Sequence, residues 1–227
     1  MHEHTNFMPQ ANHLPSQSMP VVITISRQLG SGAALIGQHL AQRLGIAYLD
    51  REILQRATKQ LQLSEDVAQA HDETITPFWQ SLMQPFAYGS PEAMYIPPPL
   101  YLTTDQELFQ EESKIIAQMA RTHSAVIVGR GGVHVLQEHP RHFSIFLHAH
   151  QSFRQHRVEE LYHLSAKEAR GVIEASDLTR TRYHRLLAGK DGNDARHYHL
   201  SLDTSVLGMT AAVEVILLSV HARFGGI

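Results

Sequence analysis

Val21–Leu44 reads VVITISRQLGSGAALIGQHLAQRL. Its opening residues, Val21–Ile25, are all β-branched, the composition of a strand buried on both faces of a parallel sheet. A turn follows in which Gly30 and Gly32 flank Ser31. Behind it Ile36, Leu40 and Leu44 recur every fourth residue, the apolar stripe of a helix lying on a sheet. Strand, glycine turn and helix in this order aim backbone N–H groups and the positive end of a helix at one point, where an anion is favoured. A phosphate is the natural guest.

Set beside the phosphate-binding pattern G-x-x-x-x-G-K-[ST], the stretch lacks two chemical groups. Arg27 falls at the first glycine, Gly32 at the second, Ala33 at the lysine and Ala34 at the hydroxyl. The backbone cradle survives this, and Arg27 is the nearest cation that could replace the lysine. A glycine turn that only joins strand to helix is the competing reading.

The remaining pattern alternates strands and helices. Gly45 sits where a C-cap glycine belongs, Ile46–Leu49 suits a second short strand, and Asp50 caps a helix from about Arg51 to Leu61. Ser64 starts a short helix. The stretch 74–104 is rich in proline and large aromatics, which suits a lid, a partner-binding surface or an irregular insertion. A helix then runs from Asp105 to about Thr122, with Leu108, Phe109, Ile115, Ile116, Met119 and Ala120 on one face. Ser124–Val128 is a buried strand entering Gly129, Arg130, Gly131 and Gly132. His142–His148 is another, followed by a helix with Val158, Leu161 and Tyr162 inward. Ser165-Ala-Lys-Glu168 is a capping box, Leu200–Asp203 a last strand, and Thr210 the expected cap of the final helix. The expectation is an α/β chain with a parallel sheet and helices on both faces. Ligands in such sheets sit beyond the carboxyl ends of the strands, where Gln28–Gly32, Asp50, Gly129–Gly132 and Thr204–Ser205 lie.

Composition bounds the function. The chain has 227 residues, 43% hydrophobic and 18% charged, with a formal net charge of −3 and no cysteine. That excludes disulfide staples and thiolate metal sites, and gives no reason to expect nucleic acid or a membrane as partner. A cytoplasmic location is the expectation, and the oligomeric state stays open. Residues 1–20 are polar, with three prolines and three histidines, and read as a disordered tail ahead of one domain spanning 21–227. His148-x-His150 and His197-x-His199 have a spacing a metal could use, but no third ligand is evident in the pattern, so structural histidines are favoured.

The pieces ISRQLGSG, GIAYLDREIL, AVIVGRGGVHVL, IFLHAHQSFRQHRV, DLTRTRY with GKD, and LDTSVLG stand in an order and spacing that resembles the cytidylate kinase-like proteins, relatives of the nucleoside monophosphate kinases. The resemblance implies a P-loop kinase fold of about five parallel strands, an acceptor-binding flap about 64–104 and an arginine-bearing lid about 165–195. It implies transfer of the ATP γ-phosphate to a nucleoside monophosphate or similar acceptor, with magnesium carried in by ATP and no dedicated protein ligand. Gly30, Ser31 and Gly32 would cradle phosphate, and Asp50 and Arg130 would contribute to nucleotide binding. Asp177 and Arg180, one helical turn apart, would join Arg27 in catalysis, since a cationic fork suits charge spread over a transferred phosphoryl group. Arg182 and Arg185 make a second face of that helix, and Arg154 and Arg157 lie on the preceding one. The departures are Ala33 and Ala34 in the loop, Val128 and Gly131 where true cytidylate kinases carry acids, and the lack of an arginine between Gly171 and Ser176. The alternatives are a catalytically weak or inactive nucleotide-sensing module and an interaction protein using the proline-rich stretch.

Overall fold

The computed structural model describes residues 19–50, 53–54, 106–189 and 191–225. The expected tail, the proline-rich flap and most of the helix after Asp50 lie outside the described residues, as do the side chains of Leu108 and Phe109. Five parallel strands form one sheet in the order β2-β3-β1-β4-β5. They are β1 (Val22–Arg27), β2 (Ala47–Leu49), β3 (Ala125–Val128), β4 (His142–His148) and β5 (Leu200–Asp203). Val22 pairs with both Ala125 and His142, which places β1 at the centre of the sheet.

The first face of the sheet carries the main core. Ile23 and Ile25 of β1 and Phe143, Ile145 and Leu147 of β4 pack under helix α1 (Ala33–Leu44) and the C-terminal helix Met209–Phe224. Ile36 and Leu40 of the α1 stripe are fully buried, and Leu44 packs against the same cluster. Gly45 ends α1 in the left-handed conformation, its N–H bonded back to Ala41 and Gln42. The C-terminal helix is capped by Gly208 rather than by Thr210, which lies inside it, because a short helix (Thr204–Leu207) ends at Gly208 just before.

The second face divides in two. Over β2 and β3 it is apolar, with Ile115, Ile116 and Met119 of helix α2 (Gln106–Thr122) on Val22, Leu49 and Ile127. Over β1 and β4 it is polar. Thr24 Oγ1 and His142 Nε2 lie 2.7 Å apart, and Ser144 N donates to His199 Nδ1 at 2.9 Å. A cavity of about 190 Å³ lies here, lined by His142, Ser144, Tyr198 and His199 among others. The short helix α3 (Gly132–Val135) folds over it, and its His134 meets His184 of the helix Ala166–Ala188, their ring nitrogens 2.8 Å apart.

This polar layer makes stability depend on pH. Burial, then His199 and His139, holds the His142 imidazole down at about 4; burial, then His134 and Arg180, does the same to His184. Both groups are neutral in the folded protein, so the unfolded chain binds more protons below about 6.5. Stability is therefore complete above that pH and drains as pH falls toward 4, by an order of 1–3 kcal/mol for each group. Urea midpoints measured at pH 7 and about pH 5 test this. His184→Gln should flatten the slope, and equal midpoints in the wild type would contradict the assignment.

Candidate functional site

The loop after β1 and the helices after β4 meet at the carboxyl end of the sheet. Gly30 and Gly32 take positive φ, 85° and 81°, which a side chain would resist. A Cβ on Gly30 would come within 2.8 Å of the Arg154 carbonyl oxygen, so the loop rests directly on the backbone of helix α4 (Gln151–Tyr162). The Ser31 hydroxyl donates to the Gln28 carbonyl at 2.9 Å, and the Ser31 carbonyl accepts from Thr204 Oγ1 at 2.9 Å. Ser31 is fully buried and shapes the loop; its hydroxyl is not turned outward.

Beside the loop stands the lid-like helix α5 (Ala166–Ala188), opened by the expected Ser165–Glu168 capping box. Val158 of α4 and Ala169 and Ile173 of α5 form a small core that also holds Leu29 of the loop. That core brings Arg154 against Asp177, Nη1 to Oδ2 at 2.5 Å, while Leu29 N donates to Asp177 Oδ1 at 3.2 Å. Arg180 Nη1 lies 3.6 Å from the same Oδ1. Burial and the nearby charge of Arg27 pull the Arg180 guanidinium down to about 9, so it stays protonated at neutral pH. Asp177 and Arg180 thus form an ion pair as their spacing suggested, with Asp177 also tied to the loop.

Arg27 reaches sideways. Its guanidinium lies over Gly129, on the space a Cβ there would occupy, and so crosses from β1 to the end of β3. The cation beside the loop's second glycine is instead Arg157, whose Nε is 4.0 Å from where a Gly32 Cβ would stand. Arg154 and Arg157 were legible in sequence only as members of a neighbouring helix; their approach to the loop depends on how α4 packs. Arg182 and Arg185 are exposed.

Arg130 adopts a left-handed backbone, φ 53°, uncommon for a residue with a side chain. Its guanidinium is paired with Glu112 of α2, Nε to Oε2 at 2.5 Å, and the two side chains are 9% and 0% exposed. The acid paired with Arg130 thus comes from α2, not from the flanking positions Val128 and Gly131. Asp50 accepts from Ile53 N at 3.1 Å, a helix-capping role. Asp203 lies between His148 and His150, 3.8 and 3.7 Å away, brought to that pair by the register of β5 on β4. Among the described residues no group of three His, Cys, Asp or Glu side chains is arranged to hold a metal, and no helix is long and apolar enough to cross a membrane.

The model of the cytidylate kinase-like family matches residues 22–206, a span running from the first strand past the last. The chain belongs to the cytidylate kinase-like family. Among solved structures, an uncharacterized protein from Eubacterium ventriosum is similar at 21% identity and TM-score 0.65, covering 89% of this chain and 99% of its own. A shikimate kinase from Bacteroides thetaiotaomicron is similar at 13% identity and TM-score 0.46, over 88% and 98%. A gluconokinase from Sinorhizobium meliloti is similar at 13% identity and TM-score 0.47, over 92% and 95%. No curated protein gives a significant sequence match.

Proposed function

We infer that this cytidylate kinase-like chain is a phosphotransferase that moves the γ-phosphoryl group of Mg–ATP to a nucleoside monophosphate or a similar small phosphate-bearing acceptor. The observation that carries this reading is the pairing of Arg154 and Arg180 with the carboxylate of Asp177, with the charge of Arg27 felt at Arg180, beside a glycine loop at the carboxyl end of the sheet. Phosphoryl transfer needs little from a protein except positioning and fixed positive charge. An acceptor oxygen forms the new bond to the γ-phosphorus, the bond to the bridging oxygen breaks, and ADP leaves. Gly30, Ser31 and Gly32 would present backbone to the phosphates, and Arg157 would supply the charge that Ala33 does not. Arg27 and Arg180 would face the transferred group. Magnesium enters with the substrate, since Ala34 offers no hydroxyl for it.

Titration calorimetry with Mg–ATP, followed by transfer assays over nucleoside monophosphates, tests the proposal. Binding in the micromolar to millimolar range is expected. Arg157→Ala should weaken it about tenfold or more, the loss of one charge-assisted contact. Absence of heat at millimolar ATP from a folded protein would end the reading. Ala33 and Ala34 favour a second one, a nucleotide sensor that closes on its ligand without turnover; it predicts binding with no transfer to any acceptor.

A further inference from the structure

Loop and lid are joined through one carboxylate. Asp177 Oδ1 accepts from Leu29 N, directly before Gly30, and Oδ2 accepts from Arg154 Nη1. The same Arg154 nitrogen donates to the Leu29 carbonyl at 3.3 Å. An N–H at the mouth of an anion-directing loop, and the most buried cation near it, are thus engaged by an anion belonging to the chain itself. Arg154 and Arg180 both pair with this one carboxylate. Arg154 is 8% exposed, and its Nε has no hydrogen-bond partner among the described residues; nor does the buried Nη1 of Arg180. Buried donors of this kind are rarely left unmet. Two unmet donors on two guanidiniums suit a dianion better than a single carboxylate.

We propose that Asp177 is a built-in anion that latches the lid to the loop, and that a phosphoryl group of the ligand takes its place at the Leu29 N–H and Arg154. This rests on reading the loop as a phosphate site. A phosphoryl dianion brings more acceptor oxygens and more charge than a carboxylate, so it reaches the donors that Asp177 leaves unmet. The exchange makes lid position a readout of occupancy and selects against monoanions, which gain nothing over the carboxylate they displace.

The test uses the full chain, with inorganic tripolyphosphate as probe. Asp177→Asn keeps the shape of the side chain and removes its charge. In the unliganded variant the Leu29 amide should exchange with solvent about tenfold faster than in the wild type, and tripolyphosphate should bind about three- to tenfold more tightly. Equal or weaker binding by the variant, with the wild type still binding, would overturn the latch and leave the phosphate reading standing. No binding by either folded protein would overturn both. Should the variant fail to fold, the wild type decides alone: the Asp177 carboxyl carbon resonance should move when tripolyphosphate saturates the protein, and a stationary resonance would overturn the proposal.

Discussion

Arg180→Ala will lower phosphoryl transfer by about a thousandfold or more and leave the folded protein as stable as before, or slightly more so. The two effects have separate origins. A cation facing a transferred phosphoryl group stabilises charge that spreads over it in the transition state, and arginines in that position are worth on the order of a thousandfold, about 4 kcal/mol of barrier. In the resting protein the same side chain feels the charges of Arg27 and Arg154, with Asp177 3.6 Å away to offset them. Burial and repulsion from Arg27 already disfavour its charge. Removing it relieves like-charge repulsion and costs one long ion pair, worth roughly 0–1 kcal/mol. Single-turnover transfer assays and urea denaturation, run on the same preparations, separate the two. A variant with unchanged turnover would reduce Arg180 to an ordinary ion pair.

Glu112→Ala carries the largest expected loss of stability, about 3–5 kcal/mol. Glu112 is wholly enclosed and Arg130 nearly so, and each is the other's counter-charge. Truncating the acid leaves a guanidinium buried without it, at a residue whose backbone is held at φ 53°. The double substitution Glu112→Leu with Arg130→Met removes both charges and should recover most of the loss, since buried ion pairs contribute little beyond what apolar packing supplies. Denaturant midpoints check both. A single-variant loss below about 1 kcal/mol would mean that water or another group reaches Arg130 easily.

These two sites mark where the reading of sequence succeeds and where it stops. Strand β1, the Ile36–Leu40–Leu44 stripe and the Gly45 cap were legible because each follows from residues within one or two turns of one another. The Asp177–Arg180 pair was legible for the same reason, lying one turn apart on a helix that announces itself with a capping box. Arg154–Asp177 and Glu112–Arg130 were not, because 23 and 18 residues separate the partners and only helix packing brings them together. Asp203 reaches His148 through the register of β4 on β5, which no spacing within either strand encodes. Arg27 is the nearest cation to the loop in sequence, yet its side chain crosses to Gly129, because that glycine leaves the end of β3 open to it.

That crossing ties positions 27 and 129, far apart in sequence, into one heritable unit. A guanidinium resting on Gly129 fills the volume of the missing side chain, so a substitution at residue 129 must displace the head group of Arg27 as well as strain a backbone at φ 81°. Grafting the ISRQLGSG loop onto a related scaffold therefore carries a hidden requirement. A recipient bearing even alanine at the place of Gly129 would force the arginine out of its groove, and the transplanted segment would arrive with its charge pointing elsewhere.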